Sequence, residues 1–130
     1  MKFGYKKFDH FYRPVIPIKV KYKGLSVGYE VLIDSGADLC IFDAEIGEIL
    51  GIDIESGQPG EVSGVAGQIS TIFVHTVTIE IGGHSKVIDV GFLSKVTDGH
   101  NYGVVGQYGF FDQFVVAFDY AKKEIELKAP

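Results

Sequence analysis

Apolar and polar residues alternate along the first part of the chain in a way that predicts β-strands. The alternation runs from Val15 to Tyr22, and a second β-branched segment runs from Val27 to Ile33. A period of two is typical of a strand with one buried face. Pro17 indicates that part of the first strand lies at a sheet edge, because proline has no N–H to donate to a neighbour. We therefore expect two paired strands joined by a turn at Lys23-Gly24.

The remaining pattern is also rich in strands. Leu39–Phe42 is short and apolar, and Asp43 is a candidate N-cap for a helix over Ala44–Leu50, since its carboxylate can accept a hydrogen bond from the first helical turn. A hairpin is predicted over 61–81 with a Gly-rich tip at 63–67. Further strands are predicted at 87–93, 102–105, 114–118 and 124–127, and loops at 57–60 and 98–101. Seven or eight strands with one or two short helices indicate an all-β, barrel-like domain.

Length and composition fit one folded domain. The chain has 130 residues and a formal charge of −5, which argues against a polybasic surface for nucleic acid or anionic membranes. The basic, aromatic residues 1–12 predict an N-terminal arm, and residues 13–130 the domain. No apolar run reaches the length of a membrane span, and the N-terminus does not resemble a signal peptide. We expect a cytoplasmic protein.

Metal and cofactor chemistry has little support in the sequence. Cys40 is the single cysteine, which excludes an intrachain disulfide and a cysteine-based zinc site. We expect its thiol to be buried and inert. The four histidines are scattered without ligand spacing, so no metal and no other cofactor is expected. Their positions are His10, His75, His84 and His100.

The sharpest candidate for chemistry is the segment Val31–Asp38. Asp34 follows an apolar strand, and Ser35, Gly36 and Ala37 allow a tight backbone turn there. Such a carboxylate suits acid–base catalysis. It could equally be an ordinary turn cap, because Asp, Ser and Gly are common turn residues. The tetrapeptide alone leaves both interpretations open.

A single carboxylate cannot complete amide hydrolysis. A base must take a proton from water while an acid donates one to the substrate. Two carboxyls that share one proton do both, but this chain carries the motif once. A twofold axis that brings Asp34 of two copies together would solve the problem.

Four segments in order resemble the retropepsins, the single-lobed aspartic proteases of retroviruses, and in particular their bacterial and cellular relatives. Arg13–Val20 and Val31–Asp38 are similar to the first half of that family, with Asp-Ser-Gly-Ala in place of Asp-Thr-Gly-Ala. Tyr102–Gly106 resembles the second landmark, and Gln107–Leu127 the short helix and closing hairpin. The resemblance implies a closed, barrel-like acid protease fold with a flap hairpin.

The resemblance also implies roles for individual residues. Asp34 would be the catalytic carboxylate, Ser35 would brace the two active-site loops, and Gly36 would present its carbonyl to substrate. The residues implied to bind substrate are Ala37, Asp38, Val65, Ala66, Gly67, Val104 and Val105, with 65–67 at the flap tip. The residues implied to support the dimer are Arg13, which would reach Asp38 of the other subunit, Gly106 and Gln107.

These observations predict a homodimeric aspartic endopeptidase that cuts extended peptides at acid to mildly acid pH. Two departures weaken the match: Ser35 stands where threonine is usual, and Gln107 where many members carry arginine. One alternative is therefore a dimeric peptide-binding or scaffold domain with weak or no catalysis. Another is a monomer in which Asp34 only caps a turn. The apolar segments expected around the site predict a preference for hydrophobic substrate side chains.

Overall fold

The computed structural model describes residues 1–94 and 102–130. The loop predicted at 98–101 lies outside these ranges. Twelve strands, one α-helix (α1) and one 3-10 helix make up the described part. The strands are β1 (Lys2–Gly4), β2 (Lys6–Phe8), β3 (Phe11–Arg13), β4 (Val15–Tyr22), β5 (Leu25–Ile33), β6 (Ile41–Asp43), β7 (Gln58–Ser63), β8 (Ile69–Ile81), β9 (His84–Leu93), β10 (Gly103–Val105), β11 (Val115–Asp119) and β12 (Glu124–Lys128). The helices are α1 (Ala44–Ile49) and the 3-10 helix (Ile54–Ser56).

Six strands close into a hydrogen-bonded ring in the order β4-β5-β10-β6-β9-β8, with β8 pairing back to β4. β5 runs parallel to β10, and β6 runs parallel to β9. β7 lies outside the ring as an edge strand paired only with β8 among the described residues. The closed ring leaves β7 and the start of β8 as a hairpin that extends beyond it, and we call this the β7–β8 hairpin.

The position of Pro17 agrees with its sequence prediction. β4 pairs with β5 along its whole length, with Pro17 opposite Glu30. Its second edge pairs with β8 only from Lys19 to Lys21. At Pro17, one edge of β4 therefore has no neighbouring strand among the described residues to hydrogen-bond with. The N–H group that proline lacks is not needed there.

The predicted helix and hairpin are present with shifted boundaries. Asp43 caps α1 by accepting the Glu45 N–H at 2.9 Å. The loop predicted at 57–60 is wrong over most of its length, because β7 begins at Gln58 and pairs Gln58 with Val74. An edge strand tolerates the Pro and Gly of this segment, which a strand with two neighbours would not.

Residues 1–12, predicted as an arm, form three short strands. β1 joins β12 and β11 in a second sheet, the terminal sheet. The N-terminal ammonium of Met1 donates to the Leu127 carbonyl at 2.8 Å, and the Leu127 N–H donates back to Met1 at 2.8 Å. The two ends of the chain are thus joined to each other.

The helix expected after Gln107 is reduced to turns. The Phe110 carbonyl accepts the N–H groups of Gln113 and Phe114 at 2.9 and 3.0 Å, which makes a single helical turn. Neither α1 nor the 3-10 helix, the helices of the described ranges, has the length and apolar character needed to cross a lipid bilayer.

One apolar core joins the ring and the terminal sheet. Phe42 is fully buried at its centre, with edge-on ring contacts to Tyr29 and Phe92 at centroid distances of 5.3 and 6.3 Å. Ile125 and Leu127 bring the terminal sheet into the same cluster. Burial of these side chains is the main source of stability in a domain of this size.

Replacing Phe42 should test this core directly. Phe42→Ala should lower the free energy of unfolding by about 3–5 kcal/mol, because it removes buried contacts and leaves a cavity. Urea denaturation at fixed protein concentration measures the loss. Ile49→Ala is the control, since Ile49 is 55% exposed at the end of α1 and should cost less than about 0.5 kcal/mol. Equal losses in both variants would contradict the assignment of the core.

Candidate active site

Asp34 lies where two parallel strands end together. β5 and β10 run side by side, with Ile33 opposite Val105. The Asp34 N–H then donates to the Val105 carbonyl at 3.0 Å. The last buried residue of β5 is Ile33, and Asp34 is half-buried beside it. The Asp34 carboxylate therefore lies at the surface of the ring, directly after the apolar end of β5.

The loop that follows folds back on Asp34. The Gly36 N–H donates to Asp34 Oδ1 at 2.9 Å, and the Ala37 N–H donates to the Asp34 carbonyl at 3.1 Å. This is the turn-capping arrangement that Asp favours. It also orients the carboxylate and gives it one hydrogen-bond donor. Capping and catalysis are therefore compatible roles for the same side chain.

A second loop, Gly106–Tyr108, is hydrogen-bonded to the Asp34 loop. The backbone N–H groups of Gln107 and Tyr108 donate to Ala37 and Asp38 at 2.8 and 2.9 Å. The Gln107 side chain donates from Nε2 to the Ser35 carbonyl at 2.7 Å. Glutamine thus ties the two loops through a neutral hydrogen bond at the position where arginine was the usual residue. The Ser35 hydroxyl is exposed and has no hydrogen bond within the described residues.

Gly106 is required by the close approach of the two loops. A methyl group there would stand 2.5 Å from the Ala37 carbonyl oxygen and 2.6 Å from that of Leu39. Both oxygens belong to backbone, which cannot rotate aside as a flexible side chain can. Any larger residue would push the Asp34 loop away from β10.

A cleft of about 760 Å³ separates the Asp34 loop from the β7–β8 hairpin. Its lining includes the ends of β6, β9 and β10 as well as these two segments. The lining residues are Asp34, Gly36, Ala37, Asp38, Leu39, Ile41, Glu61, Val62, Ser63, Gly64, Gln68, Ser70, Leu93 and Val104. The walls are mixed and not wholly apolar as expected, because five polar side chains besides Asp34 line the cleft together with the aliphatic side chains. The segment 27–33 does not line it.

The structure gathers some of the predicted site residues and separates others. Asp34, Gly36, Ala37, Asp38 and Val104 line the same cleft. Val105 is fully buried in the core, where it supports the cleft from behind. The hairpin tip is exposed and does not line the cleft. The tip residues are Val65, Ala66 and Gly67.

Arg13 makes its contacts inside its own chain. Its Nη1 donates to the Tyr102 hydroxyl at 2.6 Å, and its guanidinium lies 5.5 Å from the centre of the Phe8 ring. These contacts fix the side chain beside the N-terminal strands. The expected contact with Asp38 of a second subunit stays a prediction.

Cys40 donates its thiol to the Tyr108 carbonyl at 3.5 Å. Its side chain is fully buried, and burial raises the pKa of its thiol from 9.0 to about 11. The Nε2 atom of His75 lies 2.8 Å from the Ile54 carbonyl oxygen, and His84 is the first residue of β9. His100 lies outside the described residues. Within residues 1–94 and 102–130, no three His, Cys, Asp or Glu side chains are grouped to hold a metal ion.

Comparison with known proteins places this site in a family. A family model described as aspartyl protease matches residues 18–107. The chain belongs to the aspartyl protease family. The match includes the Asp34 loop, the β7–β8 hairpin, β10 and Gly106, which are the elements that build the cleft. No curated protein matches the sequence.

Solved structures show that this member of the aspartyl protease family has the retropepsin fold. A retropepsin-like aspartic protease from Rickettsia conorii superimposes with a TM-score of 0.67 at 17% identity, covering 98% of this chain and 89% of that one. EIAV protease in complex with the inhibitor HBY-793 superimposes with a TM-score of 0.57 at 18% identity, covering 78% of this chain and 88% of that one. The predicted all-β acid protease fold is confirmed.

Gly106→Ala tests the contact between the two loops. The added methyl group cannot fit against the Ala37 and Leu39 carbonyls, so the variant should lose about 1–3 kcal/mol of unfolding free energy. Gly28→Ala is the matched control, because nothing lies within 4 Å of a methyl group at Gly28. Chemical denaturation of both variants measures the difference. A Gly106→Ala protein as stable as Gly28→Ala would contradict the close approach.

The raised pKa of Cys40 predicts a loss of stability in alkali. The unfolded chain ionises its thiol near pH 9, whereas the folded chain holds the proton until about pH 11. The stability of the wild type relative to Cys40→Val should therefore be constant below about pH 9 and fall as the pH rises towards 11. The fall should be on the order of 2 kcal/mol. Denaturation of both proteins from pH 7 to 11 measures it, and parallel curves would refute it.

Proposed function

We propose that this aspartyl protease is a homodimeric endopeptidase in which Asp34 of two copies forms the catalytic pair. The observation that carries the proposal is the placement of the Asp34 carboxylate. It stands at the end of β5, directly after the buried Ile33, is oriented by the Gly36 N–H, and lines a cleft large enough for a peptide. The chain supplies one such motif, so a second copy must supply the other carboxylate.

The proposed chemistry needs one of the two carboxyls to be ionised and the other to be protonated. The ionised one takes a proton from water as the water oxygen attacks the carbonyl carbon of the peptide. The protonated one donates to the carbonyl oxygen, which gives a neutral tetrahedral intermediate. A proton then passes to the leaving nitrogen as the C–N bond breaks. No covalent bond to the enzyme forms, and the shared proton is restored at the end.

The proposed dimer contact centres on the Asp34 loops. The Ser35 hydroxyl is exposed, so it is available to brace the loop of a second copy as the family resemblance implies. Gly106 and Gln107 support the loop from within the chain. The chain ends are already paired in the terminal sheet, so we do not assign the contact to interleaved termini.

The substrate would be an extended peptide or protein segment. The cleft lies between the Asp34 loop and the underside of the β7–β8 hairpin, and an extended chain there can pair with exposed backbone as an added strand. The tip residues Val65, Ala66 and Gly67 would close over it and exclude water. Asp38, which lines the cleft, would accept hydrogen bonds from the substrate.

Asp34→Asn should abolish cleavage while preserving the fold. The amide oxygen can still accept the Gly36 N–H, but it cannot act as a base. Cleavage of a mixed-peptide library from about pH 3 to pH 8 should fall by about 10²–10⁴-fold. Asp53→Asn makes the same chemical change at an exposed aspartate without a capping hydrogen bond and should cut like the wild type. Equal cutting by the wild type and Asp34→Asn would overturn the assignment.

The same experiment separates the alternative of a non-catalytic peptide-binding domain. A folded wild-type protein that binds library peptides and leaves them uncut at every pH would favour that alternative. The anchoring of Gln107 to the Ser35 carbonyl argues for a catalytic loop, because the geometry of the loop is maintained without the usual arginine.

A further inference from the structure

The underside of the β7–β8 hairpin carries polar side chains near the tip, beside Val62. Ile72 of β8 is 1% exposed, so its side chain points into the core. Ser70, two residues before Ile72 in β8, shares the face of Ile72. Gln68 precedes β8 and lines the same cleft as Ser70. Gly60 pairs with Ile72, and a methyl group at Gly60 would lie 3.5 Å from the Ile72 side chain. This places the inward face of β7 on the same side.

The row from Ile72 to Gln68 leads from the core into the cleft. Ile72 is buried, Ser70 is half-buried and Gln68 is exposed. The Gln68 carboxamide lies across Gly64, because a methyl group at Gly64 would stand 2.4 Å from its Nε2. Ser70 pairs with Val62, and both line the cleft. The roof above the Asp34 loop thus presents a hydroxyl and a carboxamide.

The outward face of the same hairpin is mixed in character, because the pairs Ser63–Ile69 and Glu61–Thr71 place three polar side chains beside one apolar side chain. Ile69 is 65% exposed there, and it does not line the cleft. Thr71 shares this outward face and pairs with Glu61. Beneath the hairpin, Ser70 and Gln68 line the cleft beside Val62. The polar groups under the roof therefore need polar partners, since burying them unpaired is costly.

The floor of the cleft adds acceptors to these groups. Asp38 lines the cleft, and its carboxylate has no hydrogen bond or ion pair within the described residues. No Lys, Arg or His is among the described residues that line the cleft. A substrate side chain with N–H groups can donate to Asp38, to the Ser70 hydroxyl and to the Gln68 carbonyl oxygen. An acidic side chain would be repelled, and an aliphatic one would leave all three unpaired.

We infer that Ser70 and Gln68 form a subsite that selects substrate side chains bearing N–H donors, either carboxamides or ammonium groups, over aliphatic and acidic ones. The inference rests on the proposed function, because it concerns the same cleft. It replaces the hydrophobic preference expected from the sequence. Ser70 and Gln68 act on substrate choice and take no part in bond cleavage.

Short fluorescent peptides in which one position at a time is Gln, Lys, Glu or Leu, with the other positions mixed, test this inference. At one position, Gln or Lys should be preferred over Leu and Glu in kcat/KM. Ser70→Ala and Gln68→Met should each reduce the preference for Gln or Lys over Leu by about 3–10-fold, the worth of one hydrogen bond. Thr71→Val is the matched control, since it removes a hydroxyl from the outward face and should change the preference by less than about twofold.

Binding of the same peptides to full-length Asp34→Asn, followed by fluorescence anisotropy, separates the inference from the proposed function. If the wild type cuts nothing but Asp34→Asn binds Gln or Lys peptides, and adding Ser70→Ala removes that preference, the subsite stands and the catalytic proposal falls. A wild type that prefers Leu at every position, or a Ser70→Ala variant that behaves like Thr71→Val, overturns the subsite. Absence of both binding and cleavage overturns both.

Discussion

The site depends on a backbone contact between two loops. β5 and β10 end side by side, and their continuations cross so closely that only a hydrogen atom fits at Gly106 beneath the Ala37 and Leu39 carbonyls. Hydrogen bonds from the Gln107 and Tyr108 N–H groups then fix the Asp34 loop along its length. The position of the carboxylate is set by main-chain atoms, so most side chains around it can change.

The strands of the ring and the helix cap could be predicted because their signals are local. The alternation from Val15 to Tyr22 and the capping by Asp43 each follow from residues within one element. The start of β7 at Gln58 could not be predicted, because Pro and Gly are breakers unless the strand is an edge, and edges are decided by tertiary pairing. Pairing of β1 with β12 joins residues more than a hundred positions apart, and no local pattern encodes it.

The candidate site was predictable in part for the same reason. The Asp34 motif and the second loop carry short signatures that the sequence displays directly. The polar side chains of the hairpin could not be assigned to the cleft from the sequence, because Ile69, Ile72 and Phe73 make β8 apolar on average. Only alternate residues of β8 face the cleft. Had Ile72 been identified as a core residue, the period of two would have placed Ser70 under the hairpin. The sequence pattern did not show which side chains of β8 face the core and the cleft.

Closure of the terminal sheet within one chain bears on how the proposed pair of carboxylates forms. Ile125 and Leu127 complete the core of a single copy, and the chain ends satisfy each other's hydrogen bonds. The terminal sheet is therefore complete without a strand from a second copy, and the proposed dimer does not need to supply that pairing. Its contacts are then free to be weaker than those of an obligate dimer, whose protomers fold only together. An extended peptide that touches both Asp34 loops would strengthen such a pair, because it binds the assembled cleft and not the separate halves.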